Sequence, residues 1–167
     1  MTKTSQRDII LRDSIENIIK DPKILEDLAC KYRQFHANEI IVHKDEIGRS
    51  FFFIEEGMLR VTVHVELEER RNIQAGISDL EKGDFFGEIS LFESRIRTAS
   101  VTAITDGRLL EFDGKLLSAY LDKYPDRGYL FFKKLFETLI IRETSGIHRV
   151  ESLLAWGLKA HGISKHL

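Results

Sequence analysis

The sequence predicts a mainly β domain with helices at both ends. Two observations carry this. From about residue 36 to residue 113, six or more short apolar or alternating runs recur at roughly 8–12-residue spacing, punctuated by glycines at 48, 57, 83, 107 and 114. Such a series reads as a small antiparallel barrel or sandwich. The flanking segments, 1–35 and 114–167, instead space their apolar residues at helical intervals.

The N-terminal segment opens with Ile9, Ile10, Ile15, Ile18 and Ile19 at a loose helical period. Asp21-Pro22 then breaks the chain and starts a second helix, with proline at its first position and Ile24, Leu25, Leu28 and Tyr32 on one face. Cys30 is expected on that helix as a small apolar residue. Strands are expected over 39–43, 51–54, 59–65, 73–80, 99–104 and 108–112, with a hairpin turn at Glu55-Glu56-Gly57 and a charged hairpin tip over 66–72. Leu59 to Val65 alternates with period two, which leaves one face buried and one wet. After residue 114, Leu116, Leu117, Tyr120 and Leu121 mark a short helix, and Tyr124-Pro125 interrupts it. A long helix follows from Asp126. Tyr129, Phe132, Phe136 and Leu139 form a heptad-like seam on it, which predicts either a homodimer through this helix or packing of the same face on the barrel of its own chain.

Bulk properties narrow the class. The 167 residues are 43% hydrophobic and 31% charged, with a net charge of −2, so neither disorder nor a broad basic surface for duplex nucleic acid is expected. The single cysteine, Cys30, excludes an intrachain disulfide. No signal-peptide pattern or apolar run of membrane-spanning length is present, and the expected compartment is the reducing cytoplasm. No GxSxG, phosphate-binding loop or C-x-x-C motif marks an enzyme. His43 and His64 fall on strands without metal-ligand spacing, so no metal is expected.

The chemistry concentrates in Gly83 to Ala99. Gly83 and Gly87 permit unusual backbone angles and close approach to the main chain. Glu88 to Phe92 is suited to a short helical turn whose first N–H groups attract an anion. Glu88 sits oddly beside an anion unless it accepts hydrogen bonds from a hydroxyl of the same ligand. Arg97 adds a planar cationic fork suited to phosphate, followed by the hydroxyl of Thr98 and the small Ala99. Together these residue types point to a ligand with both a phosphate and a vicinal hydroxyl.

Phe86-Gly87-Glu88-Ile89-Ser90-Leu91 followed by Arg97-Thr98-Ala99-Ser100-Val101 resembles the cyclic nucleotide-binding domain family of catabolite activators and kinase regulatory subunits. The resemblance runs from about Ile24 to Val150. It implies an antiparallel β-roll, jelly-roll-like, with N-terminal helices and a long C-terminal helix. It also implies cAMP or cGMP as ligand. Glu88 would bond the ribose 2′-hydroxyl, Arg97 the cyclic phosphate, and the N–H groups of Ile89, Ser90, Thr98 and Ala99 the phosphate oxygens. Gly87 would let the backbone pass close to the sugar, Phe86 is a further ligand-binding position of the motif, and Val42 and Ile77 would contact base or ribose. Arg142, Thr144 and Ser145 on the long helix are the candidates to cover the base. A threonine after the arginine resembles cGMP-selective sites and also serves phosphate in cAMP sites.

Only about 15 residues follow Val150, too few for a winged helix-turn-helix. The expectation is therefore a stand-alone, non-catalytic signalling module with an effector protein that the sequence does not name. The rivals are a transcription regulator that acts through a partner or of which this sequence is a fragment, and a degenerate domain kept for dimerisation.

Overall fold

The computed structural model describes residues 15–28, 30–67 and 71–160. Residues 15–19 are helical (α1) and precede α2 (Pro22–Asp27), whose N-cap Asp21 accepts a hydrogen bond from the Lys23 N–H at 2.9 Å. The strands are β1 (Lys31–Phe35), β2 (Ile40–Val42), β3 (Ile47–Gly48), β4 (Ser50–Glu56), β5 (Met58–Leu67), β6 (Arg71–Glu81), β7 (Phe85–Phe86), β8 (Arg95–Ile96), β9 (Ser100–Ala103) and β10 (Gly107–Asp113). A 3-10 turn (Glu88–Leu91) sits between β7 and β8, and α3 (Gly114–Lys123) and α4 (Pro125–Ala160) close the chain. Two four-stranded antiparallel sheets, ordered β1-β10-β4-β7 and β2-β9-β5-β6, face each other as a β-roll, and β3 pairs with β8 at one end.

The run Phe51-Phe52-Phe53-Ile54 is apolar throughout because β4 is covered on both faces. Phe51 and Phe53 point to the helices and pack with Phe85, Leu110, Phe112, Leu117 and Phe131. Phe52 and Ile54 point into the roll and pack with Phe86, Leu59, Leu80 and Val101. A period of two thus sorts neighbours into two cores. Glu55 continues the helix-facing series, yet it is only 7% exposed. Its carboxylate is matched by Lys20 Nζ at 3.1 Å and Arg108 Nε at 2.7 Å, as a buried charge requires. A second ion pair, Arg127 to Asp21 at 3.1 Å, ties the start of α4 to the cap of α2.

The structure moves several sequence-predicted boundaries. Helix is expected to about residue 35, but α2 ends at Asp27 and Lys31–Phe35 is strand β1. Five residue pairs with β10 and the buried Phe35 outweigh the helical spacing that runs through Tyr32. Cys30 accordingly lies between helix and strand; burial, then the charge of Glu55, pushes its thiol pKa up. The roll begins at Lys31. The alternation of β5 breaks at a bulge between Val61 and Thr62, so Leu59 and Thr62 are both buried. Both strands of this hairpin run further towards the tip than expected, to Leu67 and from Arg71. The short strands β3, β7 and β8 carry too few residues for any periodicity to mark them.

The seam on α4 is split. Phe131 and Leu135 are buried, and Phe132 and Leu139 pack partly against the same core. Tyr129 and Phe136 face outward and are 65% and 64% exposed. No helix among the described residues is long and apolar enough to cross a membrane.

Phe51 links the roll to α4, with ring centroids 5.6 Å from Phe85 and 5.8 Å from Phe131. Replacing Phe51 with Ala is expected to cost about 3–5 kcal/mol through lost burial and a residual cavity. Urea unfolding will read this as a lower midpoint at unchanged slope.

Candidate functional site

A cavity of about 810 Å³ lies between the roll and the inner side of α4. Its floor is the interior face of the β7 sheet. Phe86 stacks on Phe52 with centroids 4.7 Å apart, and the Arg97 guanidinium carbon sits 5.7 Å from the Phe52 ring centre. The Arg97 chain leaves β8 and runs through a slot between Gly48 and Gly87. A methyl group on Gly48 would stand 2.6 Å from the guanidinium carbon, and one on Gly87 would stand 2.7 Å from Nη1. Gly87 also holds φ at 80°, in the left-handed region that glycine tolerates. Both glycines are therefore required by the arginine that passes between them.

Arg97 Nη2 donates to the Ser50 carbonyl at 2.9 Å, its one hydrogen bond among the described residues. Burial lowers the pKa of the guanidinium, and the charges of Glu88, Glu46 and Glu111 push it back. A partly desolvated cation with unused donors on a cavity wall is a strong attractor for an oxyanion. Glu88 lies at the first position of the 3-10 turn and also lines the cavity. Its carboxylate forms no hydrogen bond with a described residue and remains an available acceptor.

The turn itself is fixed from below. The Ser90 hydroxyl donates to the Gly87 carbonyl at 2.7 Å, and the Ser90 N–H donates to the same oxygen at 3.1 Å. Gly114, the first residue of α3, packs so closely on Ser90 that any side chain there would strike its carbonyl and hydroxyl. The start of α3 thereby sets the position of the turn.

The structure brings nearly all the sequence-predicted site residues to one wall system. Phe86, Gly87, Glu88, Ile89, Ser90, Arg97, Thr98, Ala99, Val42 and Ile77 all line the cavity. The Ser90 amide, expected to face an anion, is instead committed within the turn. Of the three helix candidates, Ser145 lines the cavity and Thr144 does not. Adjacent residues on an α-helix differ by about 100° in direction, and the Thr144 hydroxyl turns to the Ile140 carbonyl at 2.9 Å. Arg142 lines the cavity but is tied to its floor. Nη2 donates to the Phe85 carbonyl at 2.8 Å, lies 3.8 Å from Asp84 Oδ1, and the guanidinium carbon is 4.6 Å from the Phe85 ring centre. Sequence reasoning missed Arg149 and Leu153, which also face the cavity. Their signal was the spacing of three, four and four from Arg142 through Ser145. His43 is exposed, the side chain of His64 lies outside those described, and no metal-holding cluster forms among the described residues.

Comparison with known proteins places this geometry. The family model of the cyclic nucleotide-binding domain matches residues 32–124. The cAMP-dependent protein kinase regulatory subunit of Schizosaccharomyces pombe is 29% identical over 129 residues, covering 68% of this chain and 29% of that protein. Potassium/sodium hyperpolarization-activated cyclic nucleotide-gated channel 2 of Mus musculus is 30% identical over 124 residues, covering 74% of this chain and 13% of that protein. This chain thus spans less than a third of the length of these relatives. Among solved structures, the Thermus thermophilus catabolite activator protein shares the fold at a TM-score of 0.62 and 21% identity, over 81% of this chain and 62% of that one. The N-terminal domain of a Streptomyces coelicolor A3(2) transcriptional regulator does so at 0.59 and 20%, over 83% and 94%.

Gly87→Ala is expected to destabilise the domain by about 1–3 kcal/mol, because it forces φ > 0 on alanine and places a methyl 2.5 Å from the Ser50 carbonyl. Thermal unfolding with and without the substitution measures this directly.

Proposed function

The chain belongs to the cyclic nucleotide-binding domain family, and from that premise we propose that it is a non-catalytic cytoplasmic regulatory module that binds cAMP or cGMP in the cavity under α4. The observation that carries this reading is Arg97. Its guanidinium is held over Phe52, threaded between two glycines, half-buried, and gives only one hydrogen bond among the described residues. A cyclic phosphate beside it would accept the remaining donors. Glu88, on the same wall and without a hydrogen-bond partner among the described residues, would accept from the ribose 2′-hydroxyl. The amides of Ile89, Thr98 and Ala99 are left for the phosphate oxygens. Val42 and Ile77 offer apolar surface to ribose and base.

Helix α4 is the element suited to carry the signal. Its first half is packed on the roll through Phe131 and Leu135. Its second half overhangs the cavity, with Val150, Leu153 and Trp156 between 56% and 71% exposed. A ligand that touches both the roll and this overhang favours the helix position in which both contacts are made. The cAMP-regulated and nucleotide-gated relatives support a regulatory reading over catalysis.

The same helix favours self-association. Tyr129, Phe136, Ile140, Ile147 and Leu154 form one outward face, spaced by seven or four residues and each at least 46% exposed. A second copy of α4 is the occupant whose own stripe matches it.

Isothermal titration calorimetry with cAMP and with cGMP tests the binding reading. A charged hydrogen bond contributes about 1.5–3 kcal/mol, so Arg97→Ala is expected to weaken binding at least tenfold, on a protein with an unchanged circular-dichroism spectrum. No heat from either nucleotide up to millimolar concentration overturns the proposal. Light scattering is expected to give a dimer for the native chain and a monomer for Ile147→Glu.

A further inference from the structure

Four arginines line the cavity: Arg95, Arg97, Arg142 and Arg149. Three of them are engaged within the chain. Arg97 donates to Ser50, Arg142 to Phe85, and Arg95 pairs with Glu93 at 2.5 Å. Arg149 forms no hydrogen bond or ion pair among the described residues. It also lines a smaller polar groove of about 380 Å³ that joins the rim beyond Ile77 and Ser78. The one carboxylate in that groove, Asp79, is already taken by Arg60 in a two-bonded pair at 2.7 and 2.9 Å. Nothing among the described residues therefore competes for the Arg149 fork.

We propose that Arg149 reads the edge of the base and makes this cavity select a 6-keto purine over adenine. The proposal rests on the reading of the cavity as a cyclic nucleotide site. With the phosphate at Arg97 and the sugar at Glu88, the base extends towards Ile77 on β6. Leu153 on α4 faces the cavity too, and the two apolar side chains offer surfaces to a planar ring. Arg149 then stands at the ring's rim, one turn before Leu153 on the same helical face. The edge of guanine there presents two acceptors, O6 and N7, which match two guanidinium N–H groups. Adenine presents N7 beside an amino group, and a donor then meets a donor. The only carboxylate lining the main cavity is Glu88, at the sugar end, so no acidic side chain of that lining is placed to welcome the adenine amino group.

The test is calorimetric titration of the whole chain with cGMP, cAMP and inosine 3′,5′-cyclic phosphate, for the native protein, Arg149→Ala and Arg149→Lys. The inosine nucleotide keeps O6 and N7 but lacks the 2-amino group, which removes any contribution of Thr98 to that group. The native chain is expected to bind both keto nucleotides about tenfold more tightly than cAMP. Arg149→Ala should weaken both by about tenfold and move cAMP by less than about twofold, and Arg149→Lys should recover part of the loss. Arg149 is exposed, so neither substitution threatens the fold. An equal loss for all three nucleotides, or an unchanged ratio between them, overturns the inference while leaving the binding site intact. If the native chain binds none of the three, the binding reading itself falls.

Discussion

The two side chains of strand β7 point to opposite sides of one sheet, and the site is built on that division. Phe85 faces the helices, where it stacks near Phe51 and lies beneath the Arg142 guanidinium. Phe86 faces the roll, where it stacks on Phe52, and Phe52 in turn carries Arg97. The contact that fixes α4 and the contact that floors the cavity are therefore one residue apart. Close-packed interiors transmit small displacements instead of absorbing them. Phe86 is joined to α4 through the backbone of a two-residue strand and the Arg142 hydrogen bond to the Phe85 carbonyl.

Electrostatics set the second constraint. A guanidinium loses hydration as it is buried, and the negative charges of Glu88, Glu46 and Glu111 offset part of that loss, while no carboxylate among the described residues forms an ion pair with Arg97. Direct pairing with Glu88 would neutralise both groups. Instead the arginine is threaded through glycines and anchored on a backbone carbonyl, and the glutamate stays on the turn. The pair keeps one donor-rich and one acceptor-rich group side by side on a single wall.

Helix α4 divides the same way along its length and around its axis. Its first turns are part of the core, its later turns overhang the cavity, and its outer face is apolar and exposed. These three surfaces make it the only long element of the described chain that touches roll, cavity and solvent together. The ion pair from Arg127 to Asp21 extends its reach to the N-terminal helices.

What was legible in the sequence is what local chemistry determines. Glycines at 83 and 87 announced the unusual backbone angles found there, β-branched and alternating runs announced most strands, and the Gly87–Ala99 segment carried the residue types for phosphate and hydroxyl within a dozen positions. Tertiary structure decided the rest. Lys31–Phe35 became a strand because β10 offered it a partner, although its spacing continued a helix. Tyr129 and Phe136 turned outward because Phe131 and Leu135 took the core, and an apolar seam alone does not say which of two neighbouring stripes is buried. Ser90, written in the motif as a donor to ligand, folded its hydroxyl and amide back onto Gly87. Arg149, outside any motif, faces the cavity because a continuous helix from Pro125 carries that side of α4 over it. Periodicity names a face, but only packing against distant strands chooses where that face points.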